Sequence, residues 1–171
     1  MYASVSVFRF ALLLWALSGV LVGCGGRGTP PEVPSGEFTA YVKGSLSDTL
    51  SGTVHHRITD DGALTGLELG PEDGVGLSID LEPHMPALRT YEVMDDELFG
   101  IVRTGQPPGA LAFLTLKGAQ FESVDGTFEI TYVDKKRVGA TFRFYLTGGF
   151  EGPAAGTRSV EVTGALNAAP E

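Results

Sequence analysis

Residues 126–146 read Gly-Thr-Phe-Glu-Ile-Thr-Tyr-Val-Asp-Lys-Lys-Arg-Val-Gly-Ala-Thr-Phe-Arg-Phe-Tyr-Leu, and this stretch decides the fold class. Apolar and polar side chains alternate along it on both sides of the polar run Asp134-Lys135-Lys136-Arg137. Because successive side chains of a strand point to opposite faces of a sheet, a period of two predicts two half-buried strands joined by a turn. The side chains expected on the buried face are Phe128, Ile130, Tyr132, Val138, Ala140, Phe142, Phe144 and Leu146.

The same period of two recurs earlier and later in the chain. The side chains that it predicts to face the core are Phe38, Ala40, Val42, Val54, His56, Ile58, Val75, Leu77, Ile79, Leu81, Val160, Val162 and Leu166. Asp60-Asp61-Gly62 is expected to be a hairpin turn, because Asp and Gly tolerate the backbone angles of tight turns. Pro83 and Pro86 are expected to end the strand before them, because proline cannot donate a backbone hydrogen bond to a neighbouring strand.

The middle of the chain has shorter apolar runs. Residues 88–94 and 98–103 are predicted to be short strands, and residues 111–116 are predicted to form a strand that is covered on both sides or central in the sheet. Beyond the first 23 residues no segment has a convincing helical period. About nine or ten short strands with frequent turns predict an all-β domain, either an antiparallel β-sandwich or an up-and-down β-barrel.

The start of the chain has the layout of a secretory signal. Residues 10–22 are apolar or small, Arg9 precedes them, and Gly23 and the only cysteine, Cys24, follow. The apolar run is shorter than the roughly 20 residues that a membrane-spanning helix needs. A cleaved signal peptide, residues 1–23, is therefore predicted in preference to a retained membrane helix.

The residues Leu21-Val22-Gly23-Cys24 resemble the lipobox of bacterial lipoproteins. The resemblance implies that Cys24 becomes the first residue of the mature chain, that its thiol carries a diacylglyceryl group and that its amino group is acylated, for instance by palmitate. Two or more acyl chains anchor a protein stably in a membrane. Gly25 rather than Asp follows the cysteine, which resembles outer-membrane rather than inner-membrane lipoproteins. The alternative is an ordinary signal peptide followed by an unrelated cysteine.

Residues 24–36 are predicted to be a flexible tether that follows the acylated cysteine. They consist largely of Gly and Pro, with Val33 as the one aliphatic side chain. Such a segment buries too little apolar surface to offset the entropy lost on ordering, and its prolines favour an extended backbone that holds the domain off the bilayer. The all-β domain is expected to span residues 37–171, a length that suits one hydrophobic core.

The last third of the chain carries a second resemblance. Residues 126–131, 138–144 and 160–167 resemble the ending of small bacterial lipoproteins with an all-β domain, many of them functionally uncharacterised. The resemblance implies the fold and names no chemistry.

Removing the signal changes the composition in two ways. The mature chain keeps 11 Lys and Arg against 21 Asp and Glu, a formal net charge of −10 with His neutral. Such a surface repels nucleic acid, so no nucleic-acid partner is expected. With Cys24 carrying lipid no disulfide is available, and the domain has to be stabilised by its apolar core.

The three histidines are His55, His56 and His84. Adjacent strand residues point to opposite faces, so His55 and His56 are not expected to bind one metal ion together. His84, close in sequence to Asp80 and Glu82, would join one of them only if their strands pair. A surface histidine and a partly packed one are the preferred interpretation, and neither a metal site nor a cofactor is predicted.

Charged residues at loop tips are the other candidates for a binding site. The acidic ones, Asp60-Asp61, Glu72-Asp73 and Asp95-Asp96-Glu97, lack the spaced Asp-x-Asp-x-Asp pattern of a calcium loop, and solvated turns explain them. Lys135-Lys136-Arg137 is the only basic cluster. It is interpreted as a soluble turn, with contact to lipid phosphates or to an acidic partner as the alternative.

No catalytic motif stands out in the mature chain, which has no Gly-x-Ser-x-Gly and no cysteine with a histidine, and an enzyme is not favoured. The sequence predicts a lipoprotein anchored through Cys24 in the bacterial cell envelope, periplasmic or surface-facing, whose β-domain binds a protein, a glycan or a small apolar ligand. An interior lined by Phe38, Phe128, Phe142 and Phe144 would favour the apolar ligand. The alternatives are a structural envelope component without a small ligand, and a hydrolase without a recognisable motif.

Overall fold

The computed structural model describes residues 28, 32–70, 76–94, 96–101, 104–149 and 156–169. The predicted signal peptide, residues 1–23, and the predicted lipidation site, Cys24, lie outside these residues. Within them no helix has the length and apolar character needed to cross a membrane. The described strands are β1 (Glu37–Gly44), β2 (Asp48–Ile58), β3 (Leu64–Leu69), β4 (Gly76–His84), β5 (Arg89–Val93), β6 (Gly109–Leu116), β7 (Ala119–Val133), β8 (Val138–Gly149) and β9 (Arg158–Ala168), with one short 3-10 helix, Asp96–Leu98.

The nine strands of the described residues form one sheet that closes on itself, in the order β1-β2-β3-β4-β6-β5-β7-β8-β9. β1 and β9 close the ring over eight residue pairs, from Glu37 opposite Asn167 to Gly44 opposite Val160. Neighbours are antiparallel except β5 and β6, which are parallel, and β6 also pairs with β7. The all-β prediction is confirmed, and the architecture is a ring of strands that is irregular at β5 and β6 rather than a regular up-and-down barrel.

One apolar cluster occupies the interior of the ring, with members from all nine described strands. Phe142 and Phe144 stack with ring centres 5.7 Å apart, and Phe38 and Phe128 are also buried. Fully burying an aliphatic or phenyl side chain contributes about 1.5–3 kcal/mol, so this cluster is the main source of stability. The alternation predicted for β1, β4, β7, β8 and β9 is confirmed among the described residues.

Ile58 was expected to face the core and instead is 47% exposed. The register between β2 and β3 shifts between Arg57 and Ile58, where Thr65 of β3 is the extra, unpaired residue. Ile58 is the last residue of β2, so it lies at the rim of the ring rather than in its interior. The hairpin turn predicted at Asp60-Asp61-Gly62 is confirmed, with Gly62 at a φ of 89°.

Three predictions in the middle of the chain need correction. Residues 98–101, expected to be a strand, are the end of the 3-10 helix and a turn. Pro83 does not end β4, which continues to His84. β6, predicted to be covered on both sides or central, is central, since it pairs with β4, β5 and β7, but it is not covered on both sides: Phe113 points outward and is 37% exposed.

Strand direction assigns the connections to two ends of the ring. The β2–β3, β4–β5 and β7–β8 connections and the entry into β1 lie at one end, called here the N-terminal end. Because β5 and β6 are parallel, the connection between them leaves the far end of β5 and returns to this same end, where Gly100 and Gly109 bond Glu82. The β1–β2 and β6–β7 connections lie at the opposite end.

The chain before β1 is attached to the N-terminal end. Gly36 donates its backbone N–H to the carbonyl oxygen of Asn167 at 2.7 Å, and Asn167 Nδ2 donates to the carbonyl oxygen of Val33 at 3.0 Å. Further upstream, Gly28 forms an isolated antiparallel bridge with Tyr132, near the end of β7. A β-carbon at Gly28 would overlap the carbonyl oxygen of Thr131, so only glycine fits there.

Candidate functional site

A cleft of about 250 Å³ opens at the N-terminal end of the ring. One wall is the end of β4, and the other is the connection between β5 and β6. The residues that line it are Glu82, Pro83, His84, Gly100, Gln106, Pro107 and Pro108. Three prolines give the cleft apolar walls, and Glu82, His84 and Gln106 give it polar groups, a mixture typical of sites for small organic ligands.

Glu82 holds the two walls together. Its carboxylate accepts a hydrogen bond from the backbone N–H of Gly109 at 2.6 Å and another from the N–H of Gly100 at 3.3 Å. Hydrogen bonds to an ionised carboxylate are stronger than those between neutral groups. Glu82 therefore positions the β5–β6 connection against β4, and its oxygens are already engaged by the protein.

His84 is half-buried at the end of β4, two residues after Glu82. Its Nδ1 lies 3.0 Å from the carbonyl oxygen of Glu82. A carbonyl oxygen only accepts hydrogen bonds, so Nδ1 carries the proton in this contact, and in a neutral ring Nε2 is left as an acceptor. His84 thus lines the cleft with a ring that the Glu82 carbonyl oxygen holds through Nδ1.

Tyr91 lies behind His84, with the two rings edge to face and their centres 6.2 Å apart. The Tyr91 side chain is fully buried, and its hydroxyl has no hydrogen-bond partner among the described residues. Burial raises the pKa of this phenol, the positive charge of Arg89 opposes the increase, and the negative charge of Glu82 adds to it. An unpartnered buried hydroxyl costs free energy, so Tyr91 is an energetically unfavourable polar group beside the cleft.

The predicted histidine candidates do not come together. His55 is exposed on the outer face of β2, and His56 is half-buried opposite Leu67 of β3. His84 lies across the sheet opposite Leu64, on the other side of β3. Among the residues that the structure describes, no three His, Cys, Asp or Glu side chains are grouped as a metal ion would require.

Of the three acidic tips, Asp60-Asp61 lies wholly within the described residues. Thr59 Oγ1 donates to the carboxylate of Asp61 and also accepts from the backbone N–H of Ala63 at 2.9 Å. The bond from Thr59 lowers the pKa of Asp61. This carboxylate is therefore used within its own turn. Glu72-Asp73 and Asp95 lie outside the described residues.

The basic cluster lies on the β7–β8 hairpin and is organised by Asp134. Asp134 Oδ2 accepts from the Tyr132 hydroxyl at 2.8 Å and from Arg137 at 2.8 and 3.0 Å, while Oδ1 accepts from the Lys136 backbone at 2.7 Å. These bonds, that from the Lys136 N–H foremost, hold the pKa of Asp134 far below its ordinary value, and Asp134 in turn raises the pKa of Arg137. Lys135 and Lys136 are exposed at the tip.

A second, shallower groove of about 480 Å³ lies on the outer wall, between β1, β7, β8 and β9. Lys43, Val124, Tyr145 and Glu161 are among its lining residues. Arg143 spans two of the strands: it donates to Glu161 at 2.6 Å, and its guanidinium carbon lies 5.2 Å from the centre of the Tyr145 ring. This groove is more open than the cleft.

Sequence reasoning named His84 and Glu82 but did not place them in a cleft with residues 100–108. The contact between Glu82 and Gly109 joins residues 27 positions apart, and no local pattern encodes it. Tyr91 was read only as part of a short strand. Its burial beside His84 depends on the pairing of β5 with β7.

Scans of protein-family models, of curated proteins and of solved structures found no match to this chain.

Proposed function

We propose that the protein is a lipoprotein of the bacterial cell envelope, anchored through acylated Cys24, and that its β-ring is a binding module. The lipobox resemblance of residues 21–24 supports the anchor. The observation that carries the binding role is the cleft at the N-terminal end, which His84 lines together with three prolines and Glu82. We place the anchor in the outer membrane, because Gly25 follows the cysteine.

The anchor is tested by expressing the full chain in a diderm bacterium and measuring the mass of the N-terminal peptide of the mature protein. We expect cleavage before Cys24 and added diacylglyceryl and acyl masses, with the protein in the outer-membrane fraction. The Cys24→Ser variant should keep its leader and lose the acyl masses. Cleavage at another position, or a free thiol at Cys24, would contradict the anchor.

The binding role is tested by native mass spectrometry of the acylated protein released from membranes in mild detergent. A small ligand in the cleft should appear as one discrete added mass that solvent extraction removes. His84→Ala should lose that mass, whereas His55→Ala, a change of the same type on the outer wall, should keep it. A bare protein mass in repeated preparations would speak against a small ligand and favour a protein or glycan partner on the outer surface, or a purely structural role.

A hydrolase is the second candidate, and one observation favours it. His84 lines a cleft, and histidine is the side chain that most often acts as a general base. Turnover of ester, amide or glycoside substrates that disappears in His84→Ala and persists in His55→Ala would support this candidate. Equal turnover in both variants would assign the activity to a contaminant.

A further inference from the structure

We propose that the protein lies with the N-terminal end of its ring against the phospholipid surface that holds its anchor, and that Lys135 and Lys136 contact the lipid phosphates. This inference rests on the anchor at Cys24 proposed above. It adds an orientation and a contact surface that the anchor alone does not require.

The first observation is the reach of the chain between the anchor and the ring. Gly28 is bridged to Tyr132, and Cys24 precedes it by four residues. An extended chain spans at most about 3.3–3.6 Å per residue, so these four residues reach roughly 14 Å. An acylated Cys24 therefore keeps Tyr132 and the adjoining β7–β8 hairpin close to the headgroups. This replaces the expectation that residues 24–36 hold the domain off the bilayer, because the bridge at Gly28 leaves only the first part of that segment as a spacer.

The second observation is the charge of that hairpin. Asp134 binds Arg137 and the Lys136 backbone, which leaves the side chains of Lys135 and Lys136 exposed at the tip. Arg27, within the four-residue span, adds a further positive charge in sequence. A cluster of basic residues beside a lipid anchor strengthens attachment to a phospholipid surface. Because the rest of the domain has a strongly negative net charge, the basic hairpin makes its own side of the molecule the one that faces the phospholipid surface.

The third observation is the distribution of exposed apolar side chains. The described residues include nine large apolar side chains that are exposed, and five of them lie at the N-terminal end: Ile58, Met85, Leu88, Leu98 and Ile101. Such side chains favour the boundary between headgroups and acyl chains. A β-carbon at Gly28 would lie 3.2 Å from Cδ2 of Leu88, so an apolar side chain lies near the point where Gly28 is bridged to the ring.

The acidic turn at Asp60-Asp61 limits the orientation. It lies at the same end, but between β2 and β3, about halfway round the ring from the β7–β8 hairpin. Repulsion from lipid phosphates on that side tilts the ring so that the hairpin side is the closer one. The contact surface is thus the side formed by the β7–β8 hairpin, Leu88 and the Gly28 segment.

The test uses the full chain, purified in acylated form and reconstituted into vesicles of phosphatidylethanolamine and phosphatidylglycerol. With Cys24 acylated, a cysteine introduced in place of Ala87 or Ser47 is the only free thiol for a fluorophore. Ala87 is an exposed residue of the β4–β5 connection, and Ser47 is an exposed residue of the β1–β2 connection at the opposite end. We expect lipids with a headgroup quencher to quench the label at position 87 at least twofold more than the label at position 47.

Two pairs of variants test the cause of the orientation, each measured with the label at position 87. K135Q/K136Q should lower the quenching, and K43Q/K117Q, which neutralises the other two lysines of the chain, should not. Gly28→Val should lower it by breaking the bridge to Tyr132, whereas Gly26→Val, within the same span, should preserve it.

The outcomes separate this inference from the proposed function. Suppose that the N-terminal peptide carries the acyl masses. Quenching at position 47 that equals or exceeds quenching at position 87 then overturns the orientation alone. An unmodified Cys24 overturns the anchor and the orientation with it. Strong quenching at 87 that both K135Q/K136Q and Gly28→Val leave unchanged overturns the contact surface.

Discussion

The guanidinium of Arg137 lies over the ring of Tyr132, with its central carbon 5.2 Å from the ring centre, and donates to the Tyr132 hydroxyl at 3.0 Å. Both groups also bond Asp134. The β7–β8 hairpin is therefore closed by a network of three side chains with one negative charge at its centre. Such a network depends on the ionisation of its carboxylate.

Asp134→Asn should make the hairpin less stable at neutral pH, and the difference from the wild type should shrink in acid. The pKa of Asp134 in the folded protein is lowered from its ordinary value of 3.8. The stabilisation is therefore fully present above about pH 4 and is lost as the pH falls through the lowered pKa. Melting temperatures of both proteins between pH 7 and pH 2 measure this, with Asp60→Asn as the control. A difference that stays constant down to pH 2 would contradict the prediction.

Gly164→Ala should lower the free energy of unfolding of the β-domain by about 1–3 kcal/mol, the usual cost of forcing extra volume into a packed core. A β-carbon at Gly164 would lie 2.5 Å from the Phe142 ring and 2.5 Å from the carbonyl oxygen of Thr39. The matched control is Gly156→Ala, where no atom lies within 4 Å of the new carbon. Denaturant unfolding of the two variants compares the free energies, and equal values would show that β1, β8 and β9 pack less closely than described here.

Glu82→Ala should loosen the β5–β6 connection. The change leaves the N–H groups of Gly100 and Gly109 without their acceptor, and an unmade hydrogen bond of a partly buried group costs about 1–3 kcal/mol. Hydrogen exchange at these two amides should become faster, while Glu92→Ala, an exposed position on β5, should leave it unchanged. Exchange that is unaffected by Glu82→Ala would mean that the cleft is held by other contacts.

Tyr91→Phe should leave the free energy of unfolding unchanged or raise it by up to about 1 kcal/mol, because the lost hydroxyl is buried without a partner. In the wild type, the raised pKa of this phenol should delay its ionisation to more alkaline pH than that of an exposed tyrosine. Calorimetry and an ultraviolet titration measure the two effects. A clear destabilisation by Tyr91→Phe would contradict the prediction and show that the hydroxyl has a hydrogen-bond partner in the folded protein.

Local alternation was enough to predict most of the sheet. Phe38, Leu77, Ile79, Phe142 and Phe144 are all buried as the period of two requires. Each of these residues lies in a strand with a regular neighbour, so position in the sequence alone fixes which face it occupies.

The failures lie where pairing between distant segments decides the structure. Ile58 follows a register shift against β3, and residues 98–101 have an apolar pattern but form part of a connection that Glu82 holds in place. The parallel pairing of β5 with β6 likewise depends on hydrogen bonds between residues that are distant in the sequence. The cleft is built from these same segments. The sequence therefore allowed single residues of the cleft to be named as candidates, but it did not predict that they lie together.

Closure of the ring by β1 and β9 has a mechanical consequence. A force applied to the chain upstream of Gly36 would pull β1 along its own axis, while β2 on one side and β9 on the other are bonded to it over most of its length. Hydrogen bonds between antiparallel strands run perpendicular to the strands, so such a force loads them together in shear rather than one at a time. The first strand of the domain is thus built to resist being pulled out from its N-terminal side.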